Sequence, residues 1–432
     1  MKGKSKALLV LVALCVALAL TATTALAESG TVDVDTQDEL RTALENDSIT
    51  QINITNDIYL NNGYWEPVTV ERNLTINGGN HTIFNMKVNA GILKPSGSGV
   101  AGDGGSCDYY AGFIGDNKAS LTINDLSFSD AFVDIDPLTV SEKSTGSSVI
   151  AVVCANNTGS LVYNNVNVDS SEVRGYTKVG LLHGFTQNSG SFIANQCSVT
   201  NSKVVLEADG TDKEAAFSGI IIGYDGKSLA KTNGIKLSGN QCVIDSTVDW
   251  SGVEPSYNSQ TGVTSVTVNG SIYGLTCETY THGSNGTNAV LFVAEVNGYQ
   301  YETLSDAIAA AQSGDIINLL TDITLTDDGI EIAKDSTDFT IDLKGNIFTI
   351  QNGANTQNRG IVLQSGIVTI KNGTMIAEGE YLGSGTGSSA GTGAYGVLRV
   401  EGGELYLEDI TLENNRPWGM NVKLAAGDPY AK

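Results

Sequence analysis

The sequence predicts an all-β fold, a right-handed parallel β-helix (a solenoid) built as two tandem modules, each headed by a short capping helix. Three observations predict it: a composition rich in turn residues, two short apolar motifs that recur along the chain, and a longer segment that occurs twice. The 432-residue chain holds 50 glycines and 6 prolines, with abundant Asn, Thr and Ser and few helix-forming patterns. That is the composition of a chain with many tight corners.

The first element is a leader. Lys2, Lys4 and Lys6 precede an apolar run from Ala7 to Leu20, and Ala25-Leu26-Ala27 then places small residues at a cleavage site. This pattern reads as a signal peptide over residues 1–27, and the exported chain begins at 28. The run is shorter than the roughly 20 residues that span a bilayer, and no later stretch is apolar enough, so no membrane span is expected after cleavage. Cys15, behind Leu14, sits inside the run and does not fit a lipoprotein site.

Charge narrows the partners. Lys plus Arg total 24 against 48 for Asp plus Glu, a formal net charge of −24. Such a chain repels nucleic acid and anionic membranes, and it disfavours polyanionic ligands unless a metal bridges the charges. Beyond the leader stand Cys107, Cys154, Cys197, Cys242 and Cys277, an odd set without C-x-x-C spacing. They read as small buried hydrophobes, with no metal site and no cofactor expected.

The recurring motifs set the architecture. Leu121–Asp130, Leu161–Ser170, Phe192–Asn201 and Leu237–Ser246 align, with Asn124, Asn164, Asn195 and Asn240 in one column. Before each lies a small, apolar piece with glycine or small residues: Tyr110–Gly115, Val149–Cys154, Val179–Gly184 and Ser218–Gly223. Short β-type runs recurring at uneven spacing are the mark of stacked coils whose outer loops vary in length. One coil cannot bury its apolar face alone, whereas stacking at about 4.8 Å pairs every backbone group with its neighbours. The asparagine column suits corners, because Asn tolerates left-handed backbone and its amide bonds along the stack. Cys197 and Cys242 share a register position in this alignment, too far apart for a disulfide.

The longer repeat divides the chain. Leu40, Leu44, Asn53, Ile54, Asp57 and Ile58 are answered by Leu304, Ile308, Asn318, Leu319, Asp322 and Ile323. Each copy starts with a short amphipathic helix, Asp38–Glu45 and Leu304–Gln312, with Thr36 and Thr303 as N-caps. A helix there covers the open edge of the first coil. The reading is one module over 28–288 and a second over 289–432. The second is still making coils at Leu405–Leu412 without an evident cap, so a monomer or a part of a longer chain is expected.

Trp65-Glu-Pro-Val followed by Asn77–Met86 resembles the entry coil of bacterial surface β-helix proteins with GLUG-type repeats, in the pectate-lyase-like (pectin lyase-like) superfamily. Val179–Gly184 and Asn195-Gln-Cys-Ser-Val fit the alternation of those repeats, and residues 294–350 look like the head of another surface β-helix module. The resemblance implies the fold, a secreted and cell-surface location, and adhesin-like roles; it names no activity.

Two functions from different classes follow. The favoured one is a non-catalytic, exported, adhesin-like scaffold that binds glycans or host or bacterial surface partners through outer loops. The candidate ligand-binding residues are Tyr64, Trp65, Tyr109, Tyr110 and Trp418, since flat rings stack on sugar faces. The structural alternative packs Trp65 under the cap helix and Trp418 over the last coil. The rival is a secreted β-helix polysaccharide lyase or glycoside hydrolase, which needs an acidic cluster for Ca²⁺ with a base, or paired carboxylates. Asp169 and Asp245 recur in the alignment, but Ser129 and Thr200 break their column; Arg416 is the nearest base. No catalytic residue is assigned. His81, His183 and His282 stand in unrelated contexts and suggest neither a metal site nor a triad.

Overall fold

The computed structural model describes residues 30–89, 92–94, 107–134, 146–175, 178–187, 189–206, 217–225, 230–244, 256–258, 263–268, 271–275, 281–282, 288–289, 292–326, 329–352, 360–379, 397–415 and 422–424. Among the described residues it is mostly β, with largely parallel sheets and two helices, α1 (Gln37–Glu45) and α2 (Leu304–Ala310). The expected leader lies outside the described residues. The chain divides into two compact units, residues 1–231 with 237–290 and residues 232–236 with 291–432.

In the first unit, alternation of apolar and polar residues decides which side chains meet. Leu74–Phe84, Ser120–Ser129, Ser160–Asn164 and Ser191–Thr200 lie parallel and in register. Leu74, Leu121, Leu161 and Phe192 therefore stack, as do Ile76, Ile123, Tyr163 and Ala194, all of them buried. A second parallel set continues past the corner: Lys87–Val88, Phe132–Val133, Glu172–Gly175, Lys203–Leu206 and Gln241–Ile244. Two further sets hold the glycine-bearing motifs. Ala111, Ile150 and Val179 share one register position, and Ile114, Cys154, His183 and Ile222 share another. Between these two sets the backbones pass closely. A Cβ on Gly180 would sit 2.0 Å from the His183 carbonyl oxygen, so only glycine fits.

The asparagine column is a hydrogen-bonded ladder. Asn195 donates to Asn164 (2.7 Å), Asn164 to Asn124 (2.7 Å), Asn124 to Asn77 (2.9 Å), Asn77 to Asn53 (2.9 Å) and Asn53 to Asp33 (2.8 Å). Successive rungs above Asn77 stand 47, 40 and 31 residues apart, so loop length changes while the rung stays. Two details differ from the sequence alignment. The left-handed residues are Asp125, Asn165 and Gln196, each one place after a rung. Asn240 is not a rung: its Nδ2 donates to the Val199 carbonyl and its Oδ1 accepts from the Ser202 amide, at the next corner. Accordingly Cys242 is in register with Val204, not with Cys197. Leu-x-x-Asn-x-Cys fits either corner, because both need small amide-bearing residues.

The heads of the two units share three devices. Thr36 accepts the Glu39 amide (3.4 Å) and Thr303 the Asp306 amide (3.1 Å), capping α1 and α2. Asp57 accepts the Thr82 amide (2.9 Å) and Asp322 the Ile347 amide (2.7 Å), each at the neighbouring parallel strand. At the helix C-termini, Arg72 donates to the Ala43 and Leu44 carbonyls (3.0 Å each), and Lys334 donates to Ala309 and Ala311 (2.9 and 2.5 Å). Cations there satisfy orphan carbonyls and oppose the helix dipole.

The second unit opens on a hairpin, Ala294–Val296 against Tyr299–Tyr301, turning at Asn297 and Gly298 with φ of 54° and 83°. Parallel strands follow, with Phe339, Val368 and Leu405 in one column and Ile341, Ile370 and Leu407 in another. Tyr301, Leu304, Ile308, Phe339, Phe348 and Ile370 belong to one core.

Candidate functional site

Side chains available to a ligand are those the stack turns outward or the loops carry away from it. The best-defined group lies near the head of the first unit, where the chain leaves the stack after Leu60 and rejoins it at Trp65. Both ends are fixed. Leu60 is buried and its amide donates to the Phe84 carbonyl (2.9 Å); the Trp65 amide donates to the Lys87 carbonyl (2.7 Å). Between them Asn61, Asn62, Gly63 and Tyr64 are exposed. The Asn62 amide donates to Gln37 Oε1 of α1 (3.2 Å), and Asn85 Nδ2 donates to Asn61 Oδ1 (3.2 Å). Gly63 takes φ of 86° with open space on its Cα.

Trp65 itself faces inward. It is 2% exposed, its Nε1 donates to the Phe113 carbonyl (3.0 Å), and its ring stacks on Phe113 at 5.3 Å. The Arg41 guanidinium of α1 lies 3.8 Å from the Trp65 ring centroid, closing the other side. The ring thus anchors the loop and offers no face to a ligand. Tyr64, one residue earlier, is 60% exposed. Tyr110 is also inside, packed with Val149, Ala155 and Phe185, while Tyr109 is half-buried. Trp418 lies outside the described residues.

Sequence reasoning passed over Tyr59. Its ring stacks on Phe84 of the neighbouring parallel strand at 4.8 Å with 12° between planes, and it is 54% exposed. The available signal was phase: Tyr59 stands between buried Ile58 and Leu60, so alternation turns it outward.

Of the rival catalytic residues, Asp245 and Arg416 lie outside the described residues. Asp169 sits at the second corner, where its carboxylate accepts from Ser170 Oγ (2.8 Å), Thr200 Oγ1 (2.5 Å) and Asn201 Nδ2 (3.0 Å). Burial raises its pKa, and these hydrogen bonds outweigh that and hold it below the usual carboxylate range. The arrangement is that of a corner clasp. His183 is buried, with Nδ1 2.8 Å from the Cys154 carbonyl and Nε2 2.8 Å from Thr186 Oγ1. The Cys154 and Cys197 thiols are buried and free; burial pushes Cys197 up to about 12, so neither is a ready nucleophile. Among the described residues no three His, Cys, Asp or Glu side chains converge as metal ligands, and no helix is long and apolar enough to cross a membrane.

No curated protein matches this chain. A solved structure titled "L. reuteri 53608 SRRP" is 14% identical, over 91% of this chain and 98% of its own, with a TM-score of 0.19, too low to relate the two backbones. The family model described as "Putative pectate lyase-like adhesive domain" matches residues 31–305, more than half of the chain, and the chain belongs to that family.

Proposed function

We propose that the chain is an exported, cell-surface, adhesin-like scaffold that binds a glycan or a surface partner through loops outside its coils. In this reading residues 1–27 are removed on export. The remainder winds as a right-handed parallel β-helix in two tandem modules, 28–288 and 289–432, each headed by a helix. The adhesive character of the family supports the role. The shared devices of the two heads, threonine cap, aspartate clasp and helix-capping cation, support the repeated module.

The observation that carries the reading is the asparagine ladder with its unequal intervals of 47, 40 and 31 residues. A stack that holds its register while the loops change length presents variable surfaces on a fixed support, which suits recognition.

The test is to incubate the purified 28–432 chain with plant, mucin and bacterial polysaccharides and with intact cells, with and without Ca²⁺. Both retention and new chain ends are assayed. Retention without new ends is expected. New chain ends on any polymer would replace the scaffold reading with the carbohydrate-active enzyme.

A further inference from the structure

We infer that the Tyr59–Tyr64 segment is a binding site for uncharged pyranose units of a glycan, with the Tyr59 ring as the stacking platform. The inference rests on the binding role proposed above and names its site and ligand class.

The platform is made by the stack itself. Ile58–Tyr59 pairs in parallel with Ile83–Phe84. Phe84 stacks on one face of the Tyr59 ring, and Tyr59 remains 54% exposed. A flat ring held against a second ring is rigid before any ligand arrives, which lowers the entropy lost on binding. The axial C–H face of a pyranose is apolar and matches an open aromatic face.

The polar half of the site lies beside it. Asn61 is exposed, and its Oδ1 accepts from Asn85 Nδ2 (3.2 Å), which restrains the amide. Asn62 is exposed on a backbone pinned to Gln37. A fixed amide supplies donor and acceptor groups matched to neighbouring hydroxyls. Tyr64, 60% exposed, gives a second ring on the same loop. Both loop ends are clamped by buried residues, Leu60 and Trp65.

Charge selects the ligand class. From Ile58 to Trp65 the segment carries no charged side chain, and the chain as a whole carries −24. The nearest guanidinium, that of Arg41, is committed to the Trp65 ring, the Glu66 carbonyl and the Glu45 carboxylate, so an acidic polymer finds no uncommitted fork here and meets long-range repulsion. Aromatic stacking plus amides without counter-charge describes a neutral sugar site.

Affinity electrophoresis of the 28–432 chain through gels containing dextran, galactomannan or polygalacturonate tests this, with Tyr59→Ala, Tyr59→Phe and Asn61→Ala beside the parent. Melting temperatures confirm that the variants fold. Retention of the parent by a neutral polymer is expected, unchanged between low and high salt. Tyr59→Ala should weaken it tenfold or more, Asn61→Ala severalfold, and Tyr59→Phe least. Equal retention of folded Tyr59→Ala would overturn the site while leaving the binding role standing. Retention by polygalacturonate alone would overturn the ligand class. A parent that adheres to cells but to no neutral polymer would refute the sugar site and spare the adhesive role.

Discussion

Asn164 donates its side-chain amide to Asn124 on the neighbouring parallel strand at 2.7 Å and accepts the amide of Asn195 at the same distance. Each rung is donor and acceptor at once, so the ladder is directional and every interior member counts twice. Hydrogen bonds in such part-buried chains polarise one another.

Asn164→Ala should cost about 1–3 kcal/mol, the penalty of leaving two part-buried partners unmade. Asn164→Asp is the sharper variant. A carboxylate still accepts from Asn195 but opposes the Asn124 oxygen, so the loss should grow as pH rises above about 4. Urea denaturation of both variants at acid and neutral pH reads this directly.

The two helix ends make a second test. Arg72 bonds the Ile49, Ala43 and Leu44 carbonyls, and burial holds its pKa below the ordinary guanidinium value despite Asp47. Replacing it by Met should remove about 1–3 kcal/mol by orphaning those carbonyls, with amide exchange rising first in α1. Lys334→Met should do the same to α2.

His183 predicts a pH dependence. Nδ1 faces a carbonyl, which only accepts, so it carries the proton and Nε2 accepts from Thr186. Burial lowers its pKa from 6.5 to about 4. The unfolded chain therefore takes up a proton at pH values where the folded chain refuses it. Stability from this group is full above 6.5, falls as pH drops toward 4 and levels below, by on the order of 3 kcal/mol in all. Titrating stability in urea, with His183→Gln beside the parent, should show the variant lacking this slope.

Neighbouring aromatics should behave oppositely. Trp65→Ala removes a buried ring, its hydrogen bond to Phe113 and the seat of Arg41, and should cost about 3–5 kcal/mol. Tyr64→Ala, at an exposed ring, should stay within about 0.5 kcal/mol. Thermal melting separates the two.

The same pair shows what a sequence discloses. Threonine caps and helix starts were legible because capping is local, and both N-caps fall at Thr36 and Thr303. The column of Asn124, Asn164 and Asn195 was legible because stacking repeats it. Asn240 was misplaced because two different corners of the chain demand the same residue types. Which of Tyr64 and Trp65, or Tyr109 and Tyr110, turns inward depends on strand phase, and adjacent aromatics carry no phase of their own. Tyr59 went unseen since its partner Phe84 is brought to it only by the stack.

The stack is therefore the claim to test first. Thr122 and Val162 are register partners on adjacent parallel strands, both half-buried. Strands about 4.8 Å apart place such a pair within disulfide reach. The double variant Thr122→Cys with Val162→Cys is oxidised and mapped by mass spectrometry against Thr122→Cys with Asn164→Cys, two residues out of register. The stacked-coil account predicts a cross-link in the first and none in the second. A cross-link only in the second, or equal yields in both, would contradict it.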